Sequence, residues 1–161
     1  MRRLKLLQDM PVFGGVRNDI LTFLLQLAPV IRVCIGDFFF HEGDDARSMF
    51  VLEEGTVAIF KTWKGRSVAL GHLRQGDCFG EMALIDLFPR SASVQADEDC
   101  LAIELSSATL FEVYNRDLEQ FTLIQMNVAR ELSRRLRSAD ERLFRALAQT
   151  EVMEQSLSIS T

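Results

Sequence analysis

The chain has 161 residues, 48% of them hydrophobic and 25% charged, which is typical of one globular domain with a buried core. Its formal net charge of −5 argues against the broad basic face with which many proteins bind nucleic acids. No apolar run is long and continuous enough to serve as a signal peptide or to span a bilayer. We therefore expect a cytoplasmic protein that binds neither membrane nor nucleic acid directly.

The first part of the chain gives few periodic signals. Residues 1–19 contain one proline and two glycines, which favour a loop-rich lead segment. Asn18 or Asp19 can cap a helix that ends at Pro29 and carries leucines at helical spacing. We expect this helix to pack on the core of the domain.

Between residues 30 and 105 the pattern changes to short apolar runs separated by glycines. Many short strands with regular turn signals are typical of an antiparallel β-roll or barrel. Residues 56–60 and 68–70 flank the sequence Trp63-Lys64-Gly65, which predicts a hairpin with an exposed tip. We therefore predict a mainly β domain with flanking helices over residues 20–116.

One stretch within this region, residues 80–94, combines the features of a ligand-binding loop. A glycine precedes a short helical run over 81–87, whose first N–H groups and dipole favour an anion. Pro89 ends this run, and the guanidinium of Arg90 after it can hold a phosphate through two hydrogen bonds. Glu81 is only an acceptor when ionised, so it suits a hydroxyl. The stretch predicts a ligand with a phosphate and a sugar hydroxyl, the alternative being a surface loop with a solvated arginine.

A long helix is predicted over residues 117–149, where Asp117 and Gln120 form a capping box and neither glycine nor proline occurs. Six apolar residues alternate spacings of three and four, as in a heptad seam: Ala129, Leu132, Leu136, Ala139, Leu143 and Ala146. The helix either lies on its own β-roll or pairs with a second copy, for which a homodimer is the simplest symmetric solution. Residues 150–161 are polar and are expected to fray.

The sequence offers little for catalysis or for metal binding. The three cysteines, Cys34, Cys78 and Cys100, lie in or beside apolar stretches without metal-ligand spacing, which predicts buried reduced thiols. The two histidines, His41 and His72, lie in different segments, whereas a cupin-like metal enzyme would want a His-x-His pair. No nucleophile motif or Walker loop is present, so we predict a binding protein without a metal.

Three motifs resemble those of the cyclic-nucleotide-binding domain family, which includes catabolite-activator-type regulators and the regulatory subunits of cyclic-AMP-dependent protein kinase. Residues 79–94, here called the cassette, resemble the family's phosphate-binding cassette through F-G-E-M-A-L and then P-R-S-A-S-V. Residues 40–44 resemble its F-x-x-G-D turn, and residues 73–81 resemble its L-x-x-G-D-x-F-G-E sequence. The resemblance covers residues 20–145 and implies an antiparallel β-roll of the jelly-roll type with an N-terminal helix, a short cassette helix and a long C-terminal helix.

The resemblance also implies roles for individual residues. Glu81 would accept a hydrogen bond from the ribose 2′-hydroxyl, and Arg90 would hold the cyclic phosphate. Ile59 and Leu70 match apolar positions that line the base pocket, although each fits an ordinary core residue equally well. The ligand-binding residues so predicted are Gly80, Glu81, Met82, Ala83, Arg90, Ser91, Ala92, Ile59 and Leu70.

Ser91, directly after Arg90, is the position that bears on base selection. In the family, serine or alanine at the position of Ser91 accompanies cyclic AMP, whereas threonine often accompanies cyclic GMP. A serine hydroxyl can also meet a guanine amino group, so cyclic AMP is preferred and cyclic GMP stays possible. Ala139 and Asp140 match the family's lid over the base. The arginines of the long helix are predicted to form a solvated face: Arg134, Arg135, Arg137 and Arg142.

The function predicted from the sequence is a cyclic-nucleotide sensor without catalytic activity. Only about a dozen residues follow the long helix, fewer than a DNA-recognition module needs, so we expect the output to pass through a separate effector protein. Two alternatives are a structural or assembly module of the same fold with a degenerate pocket, and a metal-dependent cupin-like enzyme.

Overall fold

A computed structural model of the protein describes residues 2–86 and 88–159. Its α-helices are α1 (Arg2–Gln8), α2 (Asn18–Leu27), α3 (Ser107–Arg116) and α4 (Leu118–Ile159). Its strands are β1 (Val30–Val33), β2 (Phe38–Phe40), β3 (Ser48–Glu54), β4 (Thr56–Trp63), β5 (Arg66–Arg74), β6 (Cys78–Phe79), β7 (Ser93–Ala96) and β8 (Cys100–Ser106). Two short 3-10 helices span Pro11–Phe13 and Glu81–Leu84.

The strands form two four-stranded sheets with the orders β1-β8-β3-β6 and β2-β7-β4-β5, and neighbouring strands run antiparallel. This arrangement confirms the predicted β-roll with flanking helices. The β4–β5 hairpin turns at Lys64 and Gly65, whose φ angles of 49° and 74° fit a two-residue type I′ turn. Its tip is exposed, as predicted, because Trp63 keeps 64% of its surface accessible.

Strand β3 is buried on both faces and separates two hydrophobic layers. Met49 and Val51 face a layer shared with the helices, whereas Phe50 and Leu52 face the layer between the two sheets. The alternation follows from the two-residue period of a strand. The first layer fixes the N-terminal helices and α4 on the roll, and the second carries the aromatic rings beneath the cassette.

Two turns of the roll share the same pattern of hydrogen bonds. In each, an aspartate N–H donates to the carbonyl three residues earlier, and the aspartate Oδ2 accepts from the N–H of that earlier residue. One turn spans residues 41–44 and the other spans 74–77. The third residue of each, Gly43 or Gly76, has a φ of 89° or 90°, a conformation that favours glycine. These are the two G-D motifs seen in the sequence.

The N-terminal lead is more ordered than the sequence predicts. Helix α1 and the 3-10 helix after it bury Leu7, Val12 and Phe13 against the helical layer of the core. Helix α2 begins at Asn18, but its N-cap is Arg17 and no side chain caps it, so the predicted cap is wrong. Short segments that are fixed by tertiary packing carry little signal in their own sequence, which explains why the order of the lead was not predicted.

Polar side chains of α4 tie this helix to the lead. Asn127, which is buried, donates from Nδ2 to the carbonyl of Gly14 at 2.9 Å. Gln120 accepts from the backbone N–H of Arg17 at 2.8 Å. Asp117 caps α4 as predicted, accepting from the Gln120 N–H at 3.0 Å, but the Gln120 side chain does not close the capping box. The Gln120 N–H, aided by Arg17, holds the pKa of Asp117 below its ordinary value.

Helix α4 continues to Ile159, ten residues beyond the predicted end at 149, because nothing in its sequence breaks it. At ~1.5 Å per residue its 42 residues span about 63 Å. The tail that was expected to fray is therefore helical over residues 150–159, while Ser160 and Thr161 lie outside the described residues. Leu132 packs on the core, whereas the described side chains from Ser133 to Val152 are exposed except for half-buried Ala148.

The described residues settle three smaller points. None of their helices is both long and apolar enough to cross a bilayer. They contain no group of three or more His, Cys, Asp or Glu side chains that could hold a metal ion. Cys78 and Cys100 are buried thiols as predicted, but Cys34 is exposed because it lies just past the end of β1.

Replacing Asn127 with alanine tests the link between the lead and α4. The substitution removes the buried amide that donates to the Gly14 carbonyl, so we expect a loss of about 0.5–1.5 kcal/mol in the free energy of unfolding, measured by urea denaturation. Thr122→Ala is the matched control, because Thr122 is exposed and bonds only within α4. Equal stability of the two variants would contradict a stabilising role for Asn127.

Candidate functional site

A cavity of about 270 Å³ lies over the cassette, close to the lower end of the roughly 300–1,000 Å³ typical of small-molecule sites. Strand β4 forms one wall and helix α4 contributes to the rim. Sixteen of the described residues line it: Phe40, Ala46, Ile59, Phe79, Gly80, Glu81, Met82, Ala83, Asp86, Phe88, Pro89, Arg90, Ser91, Ala92, Val94 and Arg135.

The Arg90 side chain forms the most unusual part of the lining, because it is a cation with only 8% of its surface exposed. Its Nη2 donates to the Ser48 carbonyl at 2.8 Å, and its Nη1 donates to the Gly80 carbonyl at 3.3 Å. Its guanidinium carbon lies 3.9 Å from the centre of the Phe40 ring, in cation–π geometry. These contacts hold the guanidinium plane but supply no opposite charge.

Among the described residues, Arg90 has no carboxylate in direct contact with its charge, and one of its N–H donors has no acceptor. Its Nε is buried and has no hydrogen-bond partner among the described residues. No carboxylate of those residues forms an ion pair with it. Burial lowers the pKa of Arg90 below its ordinary value, against the opposing fields of nearby carboxylates. The site therefore favours an anion that can accept from this guanidinium.

Glycine at position 80 makes room for the arginine. Gly80 has a φ of 75°, in the left-handed region, and precedes the cassette 3-10 helix. A Cβ on this residue would lie 2.6 Å from Nη1 of Arg90 and 3.2 Å from the Ser48 carbonyl. Glycine is thus favoured at position 80 by its positive φ angle and also by the close approach of the Arg90 guanidinium and the Ser48 carbonyl.

Glu81 is buried and forms an ion pair with α4. Its Oε1 accepts from Nη1 of Arg135 at 2.5 Å, while Nη2 of Arg135 donates to the Cys78 carbonyl at 3.1 Å. Arg135 is exposed, as predicted for the solvated face, but this ion pair also ties it to the cassette, which was not predicted. The heptad spacing does not indicate which arginine of α4 contacts the cassette, because this depends on how α4 packs on the β-roll. Burial of Cys78 beside this pair raises the pKa of its thiol to about 12.

The structure brings together the predicted site residues with the exception of Leu70, which is 52% exposed on β5 and does not line the cavity. Ala83 is one of the predicted ligand-binding residues, but its N–H donates to the Gly80 carbonyl at 3.2 Å within the 3-10 turn. That turn covers Glu81–Leu84, shorter than the predicted helix over 81–87, and Leu87 lies outside the described residues. The other predicted positions line the cavity: Gly80, Glu81, Met82, Ala83, Arg90, Ser91, Ala92 and Ile59.

Sequence reasoning missed three contributors to the site. Phe40 opens the F-x-x-G-D motif, but nothing local showed that its ring stacks on the arginine. Ser48 enters through a backbone carbonyl, which no side-chain pattern reveals. Arg135 takes the place on α4 that was predicted for the lid residues Ala139 and Asp140, which are exposed and do not line the cavity.

Comparison with known proteins agrees with this geometry. Residues 30–117, more than half of the chain, match the family model described as the cyclic nucleotide-binding domain. The cyclic AMP receptor protein of Thermus thermophilus is 37% identical over 133 residues, which cover 81% of this chain and 59% of that protein. A cAMP-dependent protein kinase regulatory subunit of Hypocrea atroviridis is 45% identical over 93 residues, which cover 58% of this chain and 19% of that subunit.

A solved structure gives the same result. The crystal structure of the Thermus thermophilus catabolite activator protein superimposes with a TM-score of 0.73 and 31% identity, covering 83% of this chain and 61% of that one. The chain therefore spans only part of the length of the relatives that it matches.

Replacing Gly80 with alanine tests the close approach to Arg90, with Gly76→Ala as the matched control. Both glycines have a positive φ, so each variant should lose about 1–2 kcal/mol of unfolding free energy through backbone strain. A Cβ at Gly76 meets nothing within 4 Å, so Gly80→Ala should lose more, because its Cβ displaces the guanidinium. Equal losses in urea denaturation would contradict the required approach.

Proposed function

Because this chain belongs to the cyclic nucleotide-binding domain family, we propose that its cavity binds a cyclic nucleotide as a regulatory ligand. Cyclic AMP is the ligand we favour, and cyclic GMP is the competitor. The protein then acts as a sensor, without catalytic activity of its own and without a metal.

The observation that carries the proposal is the buried Arg90 cation with its unpaired Nε. A cyclic phosphate carries one negative charge and free oxygens, so it supplies both the countercharge and the missing acceptor. A neutral ligand would leave this buried charge without an ionic partner in direct contact. The cassette therefore favours a phosphate over a neutral ligand.

The ribose role follows from Glu81, which lies in the same lining and can accept from a hydroxyl. Its carboxylate has two oxygens, and Arg135 engages Oε1. A ribose 2′-hydroxyl then adds to, or competes with, the contact between the cassette and α4. In this way ligand and helix act on the same carboxylate, and the ligand shifts the position of α4 only by favouring one arrangement.

In this proposal the base makes fewer polar contacts than the phosphate and the ribose do. Ile59 lines the cavity and gives an apolar surface for a purine, with Ser91 as the hydroxyl nearest to the phosphate arginine in sequence. Leu70 contributes only if the base extends along β5 towards it. The preference for cyclic AMP therefore depends on Ser91 and on the kinship with a cyclic AMP receptor protein.

We also propose a homodimer through α4, and output through a separate effector protein. Leu136, Leu143 and Leu147 are 62%, 59% and 58% exposed, and their spacings of seven and four place them along one face. Because Leu132 packs on its own core, the self-association seam begins at Leu136 instead of at the predicted Ala129. A second copy covers this face symmetrically.

A second candidate function is a structural module of the same fold. Glu81 already pairs with Arg135, and the Ala83 N–H is already satisfied, so part of the polar set is occupied by the protein itself. In such a module the pocket is a scaffold, and α4 carries the function. Ligand titration separates the two candidates.

Calorimetric titration of the nucleotide-stripped protein with cyclic AMP, and then with cyclic GMP, tests the sensor. We expect saturable binding of cyclic AMP at micromolar concentration or tighter. Replacing Arg90 with alanine should weaken it on the order of 100-fold or more, because a buried charge pair is lost. Arg90→Lys should recover only part of the affinity, since lysine keeps the charge without the planar fork.

The matched control is Arg66→Ala, which removes an exposed arginine from β5 and should leave the affinity unchanged. If the folded wild-type protein bound neither nucleotide, the sensor would be excluded and the structural module favoured. If Arg90→Ala bound as tightly as the wild type, the phosphate role of Arg90 would be wrong.

Light scattering or sedimentation tests the dimer. We expect the wild type to have twice the mass of one chain, and Leu136→Glu combined with Leu143→Glu to yield monomers, because charges in an apolar seam repel. The control is Leu27→Glu, an exposed apolar residue at the end of α2. A monomeric wild type, or a dimer that survives the double substitution, would refute this interface.

A further inference from the structure

A second carboxylate lies behind Arg90, outside the cavity lining. Ser48 is buried, and while its carbonyl accepts from Nη2 of Arg90, its hydroxyl donates to Oε1 of Glu104 at 2.6 Å. Glu104 lies on β8 directly across from Phe50 of β3, and the Arg90 guanidinium is 5.8 Å from the centre of the Phe50 ring. Facing cross-strand residues project to the same side of a sheet, so Glu104 and Arg90 share one side of the roll.

The other nearby carboxylates are committed elsewhere. Glu81 is paired with Arg135, which neutralises its charge. Asp44 is exposed, and its Oδ2 accepts from the His41 N–H. This leaves Glu104, which is half-buried and is linked to the buried arginine through Ser48. Burial is the main cause of the lowered pKa of Arg90, and among the carboxylates that oppose it Glu104 acts most strongly, before Asp44 and Glu81.

We propose that Glu104, tethered by Ser48, is a built-in countercharge that stabilises Arg90 in the unliganded protein and thereby weakens the binding of an anionic ligand. The inference rests on the proposed function, because it assumes that the phosphate binds at Arg90. Glu104 does not line the cavity, so it acts through its charge and not by contact with the ligand. The residue sets the affinity of the site.

The proposal predicts opposite effects on stability and on affinity. Glu104→Gln keeps an amide oxygen that accepts from Ser48 but removes the charge. Cyclic AMP should then bind ~3- to 10-fold tighter, since a like charge near the phosphate is gone. The unliganded variant should unfold at a lower temperature, because the buried cation has lost its countercharge. If Glu104 had only a structural role, its substitution would lower both the affinity for cyclic AMP and the unfolding temperature.

The experiment is a calorimetric titration with cyclic AMP at two salt concentrations, with thermal unfolding of the unliganded proteins. The gain in affinity should shrink as salt rises. Glu53→Gln is the matched control, because Glu53 is a buried β3 glutamate paired with Arg3 away from the cavity. It should lose stability without any change in affinity.

Ser48→Ala provides a second variant. It keeps the backbone carbonyl that Arg90 uses but releases the Glu104 carboxylate, so its affinity should fall between those of the wild type and Glu104→Gln. If Glu104→Gln binds with equal or weaker affinity than a wild type that does bind, the countercharge is refuted and the sensor stands. If the wild type does not bind, both proposals fail.

Discussion

The buried guanidinium of Arg90 is the constraint on which the rest of the site depends. An unpaired buried charge costs several kcal/mol, and the fold offsets part of this cost with two carbonyls and an aromatic face. Each of these groups requires something of the sequence. The carbonyl of Ser48 comes from a strand buried on both sides, and that of Gly80 is available only because the residue lacks a Cβ.

The backbone of Arg90 is held as firmly as its side chain. Its N–H donates to the Asp44 carbonyl at 2.8 Å, and its own carbonyl accepts from the Gly43 N–H at 2.9 Å. The G-D turn at residues 41–44 therefore supports the cassette, although Asp44 and Arg90 are 46 residues apart in the sequence. Gly43, whose φ of 89° allows the turn, therefore also fixes the backbone of Arg90 through its N–H.

The parts of the structure that the sequence predicted are those with a local cause. Alternating apolar runs and glycine turns predict the roll, and the Lys64-Gly65 turn predicts the hairpin. The glycine, glutamate and arginine of the cassette lead to half of the residues that line the cavity. The ordered lead, the exposure of Leu70 and the ion pair of Arg135 have no local cause. The order of the lead and the ion pair of Arg135 depend on where α4 lies, which heptad spacing leaves open because several arginines share the helix surface.

Helix α4 has two halves with different physical roles, and Arg135 lies at their boundary. Up to Leu132 the helix is fixed by core packing and by the buried amides of Gln120 and Asn127. Beyond Arg135 its described side chains are exposed almost throughout. A ligand that changes the charge or hydrogen bonding of Glu81 therefore acts at the point where the anchored half ends. A small energetic change there can alter the free half while the core stays intact.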